Sequence, residues 1–440
     1  MVSKVEDSVE TLIAMDGTNQ FKETEIGPLP TEWDVVQLGD AACLTMGQSP
    51  PSATYNTRGE GLPFLQGKAE FGAVFPSPVK WCSQPKKVAS SGSVLVSVRA
   101  PVGNANLAKA DYCIGRGLAA LNGDELLDNW FLFYSLTFAR RRLEDRGTGS
   151  TFKSISKGVL QAFSIPLPPL PEQRAIAHVL STVQRAIEAT EAVIAAAREL
   201  KRSLMRHLFT YGPVPLQEAE RVPLKETEIG PMPEHWEVVR IGDTGELTDG
   251  DWILKRYYTG SGVRLLQVGD VGVGRFVGKS NRYISAQSAL ELKCRFLERG
   301  SILISRMPDP VGRACMVPAL PCPAITAVDV AILSPRATID TTFLLHTLNR
   351  PLTFQRCAQL ATGATRQRIS RRNLATVRLP LPDVTQQRQI ARVLQTVEGK
   401  IRCEENHRNA LQSVFSSLLH YLMTGKIRVK PEDAPEEVTT

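Results

Sequence analysis

Two stretches of the chain place apolar residues at alternating steps of four and three, which is the spacing of a narrow seam along a helix. They cover residues 167–212 and 381–426, and each follows a proline-rich run and closes at a glycine. A helix with such a seam needs a partner in water, so we predict that the two helices pair in antiparallel directions. Two unrelated amphipathic helices, each packed on its own domain, are the alternative. The predicted pairing residues are Ile176, Leu180, Val183, Ile187, Leu204 and Leu208 in the first helix, and Ile390, Leu394, Val397, Ile401, Leu411, Phe415, Leu418 and Leu422 in the second.

The regions outside these helices contain short aliphatic runs bounded by glycine and proline, a pattern typical of buried strands. "GSVLVS" begins at Gly92 and "GSILIS" begins at Gly300, and a Pro-Val-Gly sequence follows each of them. We therefore predict an α/β (α+β) fold. It consists of two similar globular domains with short strands, joined by two long antiparallel coiled-coil helices in a pseudo-twofold arrangement.

The chain repeats its own sequence. "KETEIGPLPTEW" at Lys22 returns as "KETEIGPMPEHW" at Lys225, and "EQRAIAHVLSTV" at Glu172 returns as "QQRQIARVLQTV" at Gln386. Between these shared ends the halves differ, so we interpret the shared parts as scaffold and the variable parts as two different recognition surfaces. The predicted segments are an N-terminal extension (1–20), a first globular domain (21–166), a first long helix (167–212), a linker (213–223), a second globular domain (224–380), a second long helix (381–426) and a C-terminal tail (427–440).

Composition narrows the class of protein. The formal charge of +7 favours a polyanionic partner, although many basic proteins bind no nucleic acid. No apolar run approaches the roughly 18 residues of a spanning helix, and the N-terminus lacks the apolar block of a secretory signal, so we expect a cytoplasmic protein. The eight cysteines are scattered without a C-x-x-C pair. We expect reduced, mostly buried thiols.

A search for catalytic chemistry finds only weak matches. The run Ser49-Pro50-Pro51-Ser52 lacks the aromatic residue with which an adenine methyltransferase holds a flipped base. "GDVGVG" has the wrong glycine spacing for a nucleotide cradle, and a hairpin explains it better. Cys403 and His407 lie one helical turn apart but are only two of the ligands that a metal needs. We predict no catalytic residue, no metal site and no cofactor bound by this chain.

The order and duplication of four motifs resemble the specificity subunit of Type I restriction-modification systems. The motifs are the two "KETEIGP-x-P-x-x-W" heads, the "TG-x-T" segments with Ile155-Ser156 and Ile369-Ser370, the "PLP" runs and the "QR-x-I-A-x-VL-x-TV" helix starts. The resemblance implies two target recognition domains that each read one half of an interrupted DNA sequence, with the helices as a ruler. It also implies two docked copies of an adenine-N6 methyltransferase subunit, which binds the S-adenosylmethionine, and separate restriction/translocase subunits.

Candidate contacts to double-stranded DNA follow from side-chain chemistry. The arginine fork matches guanine, glutamine and asparagine match adenine, and lysine more often contacts phosphate. Each candidate taken alone is better explained as a solvated surface charge, and the candidates are stronger as groups. The candidates are Gln66, Lys68, Arg99, Asn104, Arg116, Lys153 and Lys157 in the first half, and Lys255, Arg256, Tyr257, Arg306, Arg313, Arg366, Arg368 and Arg371 in the second.

Other functions stay open at this point. The chain could be the recognition subunit of a related system whose methyltransferase and nuclease are one polypeptide. It could also be a methyltransferase or nuclease with its own recognition domains, or an adaptor that binds proteins and no DNA. The sequence favours a non-catalytic, DNA-binding recognition subunit.

Overall fold

The computed structural model describes residues 20–149, 153–363 and 366–429, together with the backbone of Ile13–Ala14. Most of the N-terminal extension, the C-terminal tail from residue 430 and the centres of both "TG-x-T" segments lie outside the described residues. The chain divides into two compact units. Unit 1 is built from the chain up to Glu191 and from Asn406 onward, and unit 2 is built from Ala192–Glu405.

Two long helices, α5 and α10, contribute to both units. Helix α5 runs through 42 residues (Leu170–Tyr211) and α10 through 40 residues (Val384–Met423). Both bounds lie within a few residues of the predicted ones. Gly212 and Gly425 follow the two helices with φ of +84° and +64°, a left-handed conformation that glycine adopts without steric cost.

Unit 1 contains a four-stranded and a five-stranded sheet, besides two-stranded pairs. One has four antiparallel strands in the order β11–β10–β13–β5, and the other has five strands in the order β6–β8–β7–β12–β9. The elements are β1 (Ile13–Ala14), β2 (Phe21–Lys22), β3 (Leu29–Pro30), β4 (Asp34–Gln37), α1 (Leu38–Ala41), β5 (Ala42–Met46), β6 (Tyr55–Asn56), β7 (Leu62–Leu65), β8 (Lys80–Cys82), β9 (Val88–Ala89), β10 (Val94–Ser97), β11 (Ala105–Leu107), β12 (Tyr112–Ile114), β13 (Leu118–Gly123), α2 (Asn129–Phe138), α3 (Arg140–Asp145), α4 (Lys157–Gln161) and β14 (Ser164–Leu167).

Unit 2 repeats this architecture. Its sheets have the orders β18–β25–β22–β23 and β19–β21–β20–β24, so the second sheet has one strand fewer. The elements are β15 (Leu224–Lys225), β16 (Met232–Pro233), β17 (Glu237–Arg240), β18 (Gly245–Asp249), β19 (Tyr258–Thr259), β20 (Val263–Leu266), β21 (Tyr283–Ile284), α6 (Ala286–Glu291), β22 (Ile302–Ser305), β23 (Ala314–Met316), β24 (Ala324–Thr326), β25 (Val330–Pro335), α7 (Thr341–Leu348), α8 (Pro351–Gln359), α9 (Arg371–Thr376) and β26 (Arg378–Leu381).

The repeated sequences form the same structures in both units. The strand that follows each head pairs with the strand of each "PLP" run, so that Ile165 lies opposite Val36 in unit 1 and Leu379 lies opposite Val239 in unit 2. In unit 1 a strand β27 (Arg428–Val429) beyond α10 pairs with the backbone of Ile13–Ala14 in the N-terminal extension.

Each unit buries half of each long helix against a globular domain. In unit 1 the first part of α5 and the last part of α10 share one core with α2, where the Tyr134 and Phe415 rings lie 6.2 Å apart. In unit 2 the last part of α5 and the first part of α10 pack on α7, where the Phe209 and Phe343 rings lie 5.8 Å apart. The helices therefore contact both each other and a domain, which combines the two alternatives that the seam left open.

The helix halves run antiparallel within each unit. In unit 2, Arg198 pairs with Glu405 at 2.5 Å, and Lys201, three residues further along α5, pairs with Glu398, seven residues earlier on α10, at 2.6 Å. The predicted α/β class, with two similar domains and long antiparallel helices, is confirmed. Of the predicted pairing residues, those that belong to or pack on these cores are Ile176, Leu180, Val183, Ile187, Leu411, Phe415, Leu418 and Leu422 in unit 1 and Leu204, Leu208, Ile390 and Leu394 in unit 2, while Val397 and Ile401 are half-buried outside them.

Candidate nucleic-acid interface

Four chain segments meet in each unit where the four-stranded sheet ends. We call them junction 1 (residues 46–49, 98–100, 115–117 and 153–157) and junction 2 (residues 249–252, 306–308, 327–329 and 366–371). The same backbone hydrogen bonds hold both junctions, which fixes the equivalence of their positions. They are Gly47 N to Leu118 O (2.9 Å), Val98 N to Gly117 O (2.9 Å) and Ile155 N to Val98 O (2.9 Å) in unit 1, and Gly250 N to Val330 O (3.1 Å), Arg306 N to Asp329 O (2.9 Å) and Ile369 N to Arg306 O (3.0 Å) in unit 2.

Junction 1 gathers exposed cations without paired carboxylates. Within junction 1, Ser49 Oγ accepts hydrogen bonds from Gln66 Nε2 at 3.1 Å and from the Arg116 backbone N–H at 3.2 Å. Arg99 lies across a β-bridge from Ser154. Among the described residues no carboxylate forms an ion pair with the predicted contacts Arg99, Arg116, Lys153 and Lys157, and all four are exposed.

Two predicted contacts of the first half take no part in the junction's hydrogen bonds. Lys68 and Asn104 line a cavity of about 230 Å³, together with Tyr134 of α2 and Arg140 of α3. Asn104 uses its side-chain amide inside the domain, where Nδ2 donates to the Pro101 carbonyl at 3.1 Å. Their predicted DNA contacts stay predictions.

Junction 2 combines arginines with carboxylates. Asp249 pairs with Arg306 and, at 3.0 Å, with Nε of Arg371. Asp329 pairs with Nε of Arg368 at 2.8 Å. The equivalent positions of junction 1 hold Met46, Val98, Lys157, Gly117 and Ser154, so one backbone framework carries two unlike sets of side chains.

Arg306 and Arg313 are buried, which removes support for our prediction that they contact DNA. Arg306 donates to the carbonyls of Ile369 (2.9 Å) and Val328 (3.1 Å), and Arg313 donates to those of Val271 (2.7 Å) and Val268 (3.0 Å). Burial lowers the pKa of both groups, and Asp249 acts in the opposite direction on Arg306. These hydrogen bonds commit most of the donors of both side chains to the fold of unit 2.

The loop after β18 carries further candidates. Lys255 and Arg256 are exposed, and the Arg256 guanidinium lies 5.1 Å from the ring centre of half-buried Tyr257. Three residues before Lys255, the Trp252 side chain is 72% exposed, which the sequence analysis missed. A tryptophan directly after Gly-Asp in a loop was the available signal. Arg366 is exposed beside the residues that the structure leaves undescribed.

Metal sites and membrane-spanning helices are absent from the described residues. Those residues contain no group of three or more His, Cys, Asp and Glu side chains placed to hold a metal ion, and none of their helices is long and apolar enough to cross a membrane. The cysteines are free thiols, of which Cys43 and Cys403 are exposed, Cys322 is half-buried and the other five are buried. Burial raises the pKa of Cys315 and Cys357 to about 12.

Comparison with known proteins agrees with these features. The chain is 25% identical over 415 residues to the MjaVIII type I restriction enzyme specificity subunit of Methanocaldococcus jannaschii, covering 93% of this chain and 96% of that protein. A protein of the same organism, named as an MjaX specificity subunit, is 46% identical over 193 residues, which are 43% of this chain and only 45% of that protein.

Solved structures share the fold. A crystal structure of the S subunit of a type I restriction-modification system from M. genitalium superposes with a TM-score of 0.61 at 17% identity, over 93% of this chain and 98% of that one. A chain from a structural study of complex assembly and conformational transition in the type I system gives 0.52 at 21% identity, over 90% and 99%.

The model of the type I restriction-modification DNA specificity domain matches twice, at residues 30–197 and 233–413. These two segments contain the repeated heads' tryptophans, both junctions and most of both long helices, and together they cover most of the chain. The chain therefore belongs to the family of type I restriction-modification specificity subunits, with two copies of the family's DNA specificity domain.

Proposed function

We propose that unit 1 and unit 2 each read one half of a bipartite target in double-stranded DNA. The observation that carries the proposal is the pair of junctions, because an identical backbone framework presents unlike exposed side chains in the two units. Shared scaffold with different contact groups is what two unlike half-sites require. Within the proposal, the exposed cations of junction 1 and residues 252–256 and 366–371 of unit 2 provide the DNA contacts.

The long helices set the distance between the half-sites and carry the partners. A continuous helix of this length spans about 60 Å. The ion pairs Arg198–Glu405 and Lys201–Glu398 support a fixed register between α5 and α10 in unit 2. A fixed register is what a ruler between two reading domains needs.

The partners and chemistry follow the family. We propose that two adenine-N6 methyltransferase subunits dock on the helices and bind the S-adenosylmethionine, and that restriction/translocase subunits join for cleavage. In this proposal the chain itself acts as a recognition subunit without catalysis, in the cytoplasm. The weak matches to catalytic motifs and the charge of +7 support that division of labour.

A map of N6-methyladenine tests the proposal. DNA from cells with this gene intact and with it deleted is sequenced for modified adenines. The expected difference is one interrupted motif, two short half-sites around a fixed spacer with a modified adenine on each strand. An unchanged map, in cells where the partner genes are expressed and active, would contradict the proposal and favour a protein-binding adaptor.

A further inference from the structure

Resting on the proposed function, we propose that Arg368 reads a guanine in the half-site bound by unit 2, with Asp329 as the positioning residue that holds its guanidinium. Arg368 precedes α9 and lies across a β-bridge from Thr362. Asp329 immediately precedes β25, and its carboxylate lies 2.8 Å from Arg368 Nε.

The fold does not need this pair. Unit 1 makes the same backbone hydrogen bonds with Gly117 in place of Asp329, and the same bridge with Ser154 in place of Arg368. Both members of the pair are thus present in one unit and absent from the other. A Cβ at Gly117 would lie 2.5 Å from the Gln66 carbonyl oxygen, so the first unit has no room for a carboxylate there. A pair that an otherwise identical framework omits is better explained by what unit 2 binds than by stability.

The terminal amino groups of Arg368 remain available to bind a base. Its side chain is 39% exposed, and in the described part of the chain its carboxylate partner is Asp329, which lies close to the buried Nε without forming a hydrogen bond to it. No hydrogen bond among the described residues uses either terminal amino group of Arg368. Arg306 and Arg371 differ from it. Arg306 Nη1 donates to the Val328 carbonyl oxygen, and Arg371 Nη1 donates to that of Leu247. Arg368 is therefore the arginine of junction 2 that is both held and free to donate.

The carboxylate decides between guanine and phosphate. An arginine that serves phosphate contributes through its net charge, and a paired aspartate would cancel most of that gain. Two parallel N–H donors in a fixed plane instead match guanine O6 and N7, the commonest specific contact in the major groove. The ion pair with Asp329 keeps the guanidinium near one position, and burial of Nε leaves the terminal amino groups as the donors for a base.

The test selects sequences from duplexes with randomised bases, using the full chain with its methyltransferase partner, for the wild type, Arg368→Ala, Arg368→Lys and Asp329→Asn. We expect Arg368→Ala to lower the preference for guanine at one position of one half-site by about 10-fold or more. Arg368→Lys should lose it too, since lysine has no fork. Asp329→Asn should weaken the guanine preference at that same position and leave the preferences at other positions unchanged, which a general loss of folding would not produce. It should also steepen the salt dependence of binding, because the carboxylate charge is lost. A duplex with 7-deazaguanine at that position should bind the wild type more weakly and leave Arg368→Ala unaffected.

Arg372→Ala is the matched control, because Arg372 is an exposed neighbour on α9. We expect this change to weaken binding to all sequences alike. If the wild type selects two half-sites and the Arg368→Ala profile is identical to it, or falls equally for every sequence, the inference is wrong. If the wild type selects no sequence at all, the proposed function itself fails.

Discussion

In both units the tryptophan of the repeated head donates a hydrogen bond to the start of a long helix, but the accepting residue is charged in unit 1 and neutral in unit 2. In unit 1 the buried Trp33 donates from Nε1 to Glu172 at 3.1 Å, and in unit 2 the buried Trp236 donates to Gln386 at 2.9 Å. Each acceptor stands at the start of a long helix. In unit 1 the carboxylate is also bound bidentately by Arg428, at 2.5 and 2.8 Å, whereas in unit 2 His235 lies 3.2 Å from the neutral amide.

The contacts that the two units share explain why the head sequence occurs twice. Within each unit the head holds the start of one helix through the indole N–H and the end of the other helix through the ring. A Cβ at Gly425 would lie 2.3 Å from Pro30 and 3.4 Å from Trp33, and a Cβ at Gly212 would lie 3.6 Å from Trp236. Both units keep a hydrogen-bond acceptor for the tryptophan. The acceptor is a carboxylate in unit 1, where Arg428 is nearby, and a neutral amide in unit 2.

The largest expected effect comes from removing the buried tryptophans of the two heads. Trp33→Ala and Trp236→Ala should each lower the free energy of unfolding by about 3–5 kcal/mol, because a fully buried tryptophan leaves a large cavity. Hydrogen–deuterium exchange should rise mainly in the unit that carries the change. Trp252→Ala, at an exposed position, should stay within about 0.5 kcal/mol of the wild type. Losses below about 1 kcal/mol at both buried positions would contradict this function of the heads.

A smaller effect distinguishes the charged acceptor Glu172 of unit 1 from the neutral acceptor Gln386 of unit 2. Glu172→Gln keeps an acceptor for Trp33 but leaves the mostly buried Arg428 with Glu32 as its one ion-pair partner among the described residues, so we expect a loss of about 1–3 kcal/mol. Gln386→Glu adds a charge that no arginine pairs with, at a half-buried site near His235, and should cost about 1 kcal/mol or less. Urea unfolding of both variants checks the order. Equal losses would show that the ion pair adds nothing beyond the shared hydrogen bond.

The smallest effect is the pH dependence that His346 adds in unit 2. Helix α7 carries His346 where α2 carries Tyr134, each six residues after its capping aspartate. Burial and Lys201 lower the pKa of His346, while Glu398 and Asp340 act in the opposite direction. Burial raises the pKa of Tyr134, which stays neutral near neutral pH.

His346 binds a proton more readily in the unfolded chain than in the folded one, because its folded pKa is lower. Its contribution to the free energy of unfolding is therefore fully present above about pH 6.5, and it falls below that pH until the folded pKa is passed. The expected slope reaches at most about 1.4 kcal/mol per pH unit. Burial also lowers the pKa of His178 in unit 1, so His346→Gln should reduce this slope between pH 7.5 and 5.5 and leave the part that His178 contributes, measured by urea unfolding at each pH. Parallel curves for the wild type and the variant would contradict the assignment.

Much of the fold was predictable because repetition and periodicity are local properties of a sequence. The seam located both long helices, and the aliphatic runs located β10 and β22. Which halves of the helices join which domain was not predictable, since it depends on contacts such as Tyr134 with Phe415 that are far apart in sequence.

The site was harder to predict than the fold. Arg306 follows a strand and reads as a surface cation, but its acceptor Ile369 lies 63 residues away, and Arg313 donates to Val271 at a separation of 42. The Asp329–Arg368 pair joins segments that sequence alone does not connect. Exposure of Trp252 is likewise a tertiary property.

The most direct test of separate reading by the two units is an exchange of one variable part. Residues 41–146 are replaced by the corresponding segment of another family member, and N6-methyladenine is mapped in cells that express the hybrid with its partners. We expect one half of the methylated motif to change, while the other half and the spacer stay the same. A motif that changes in both halves would contradict the account.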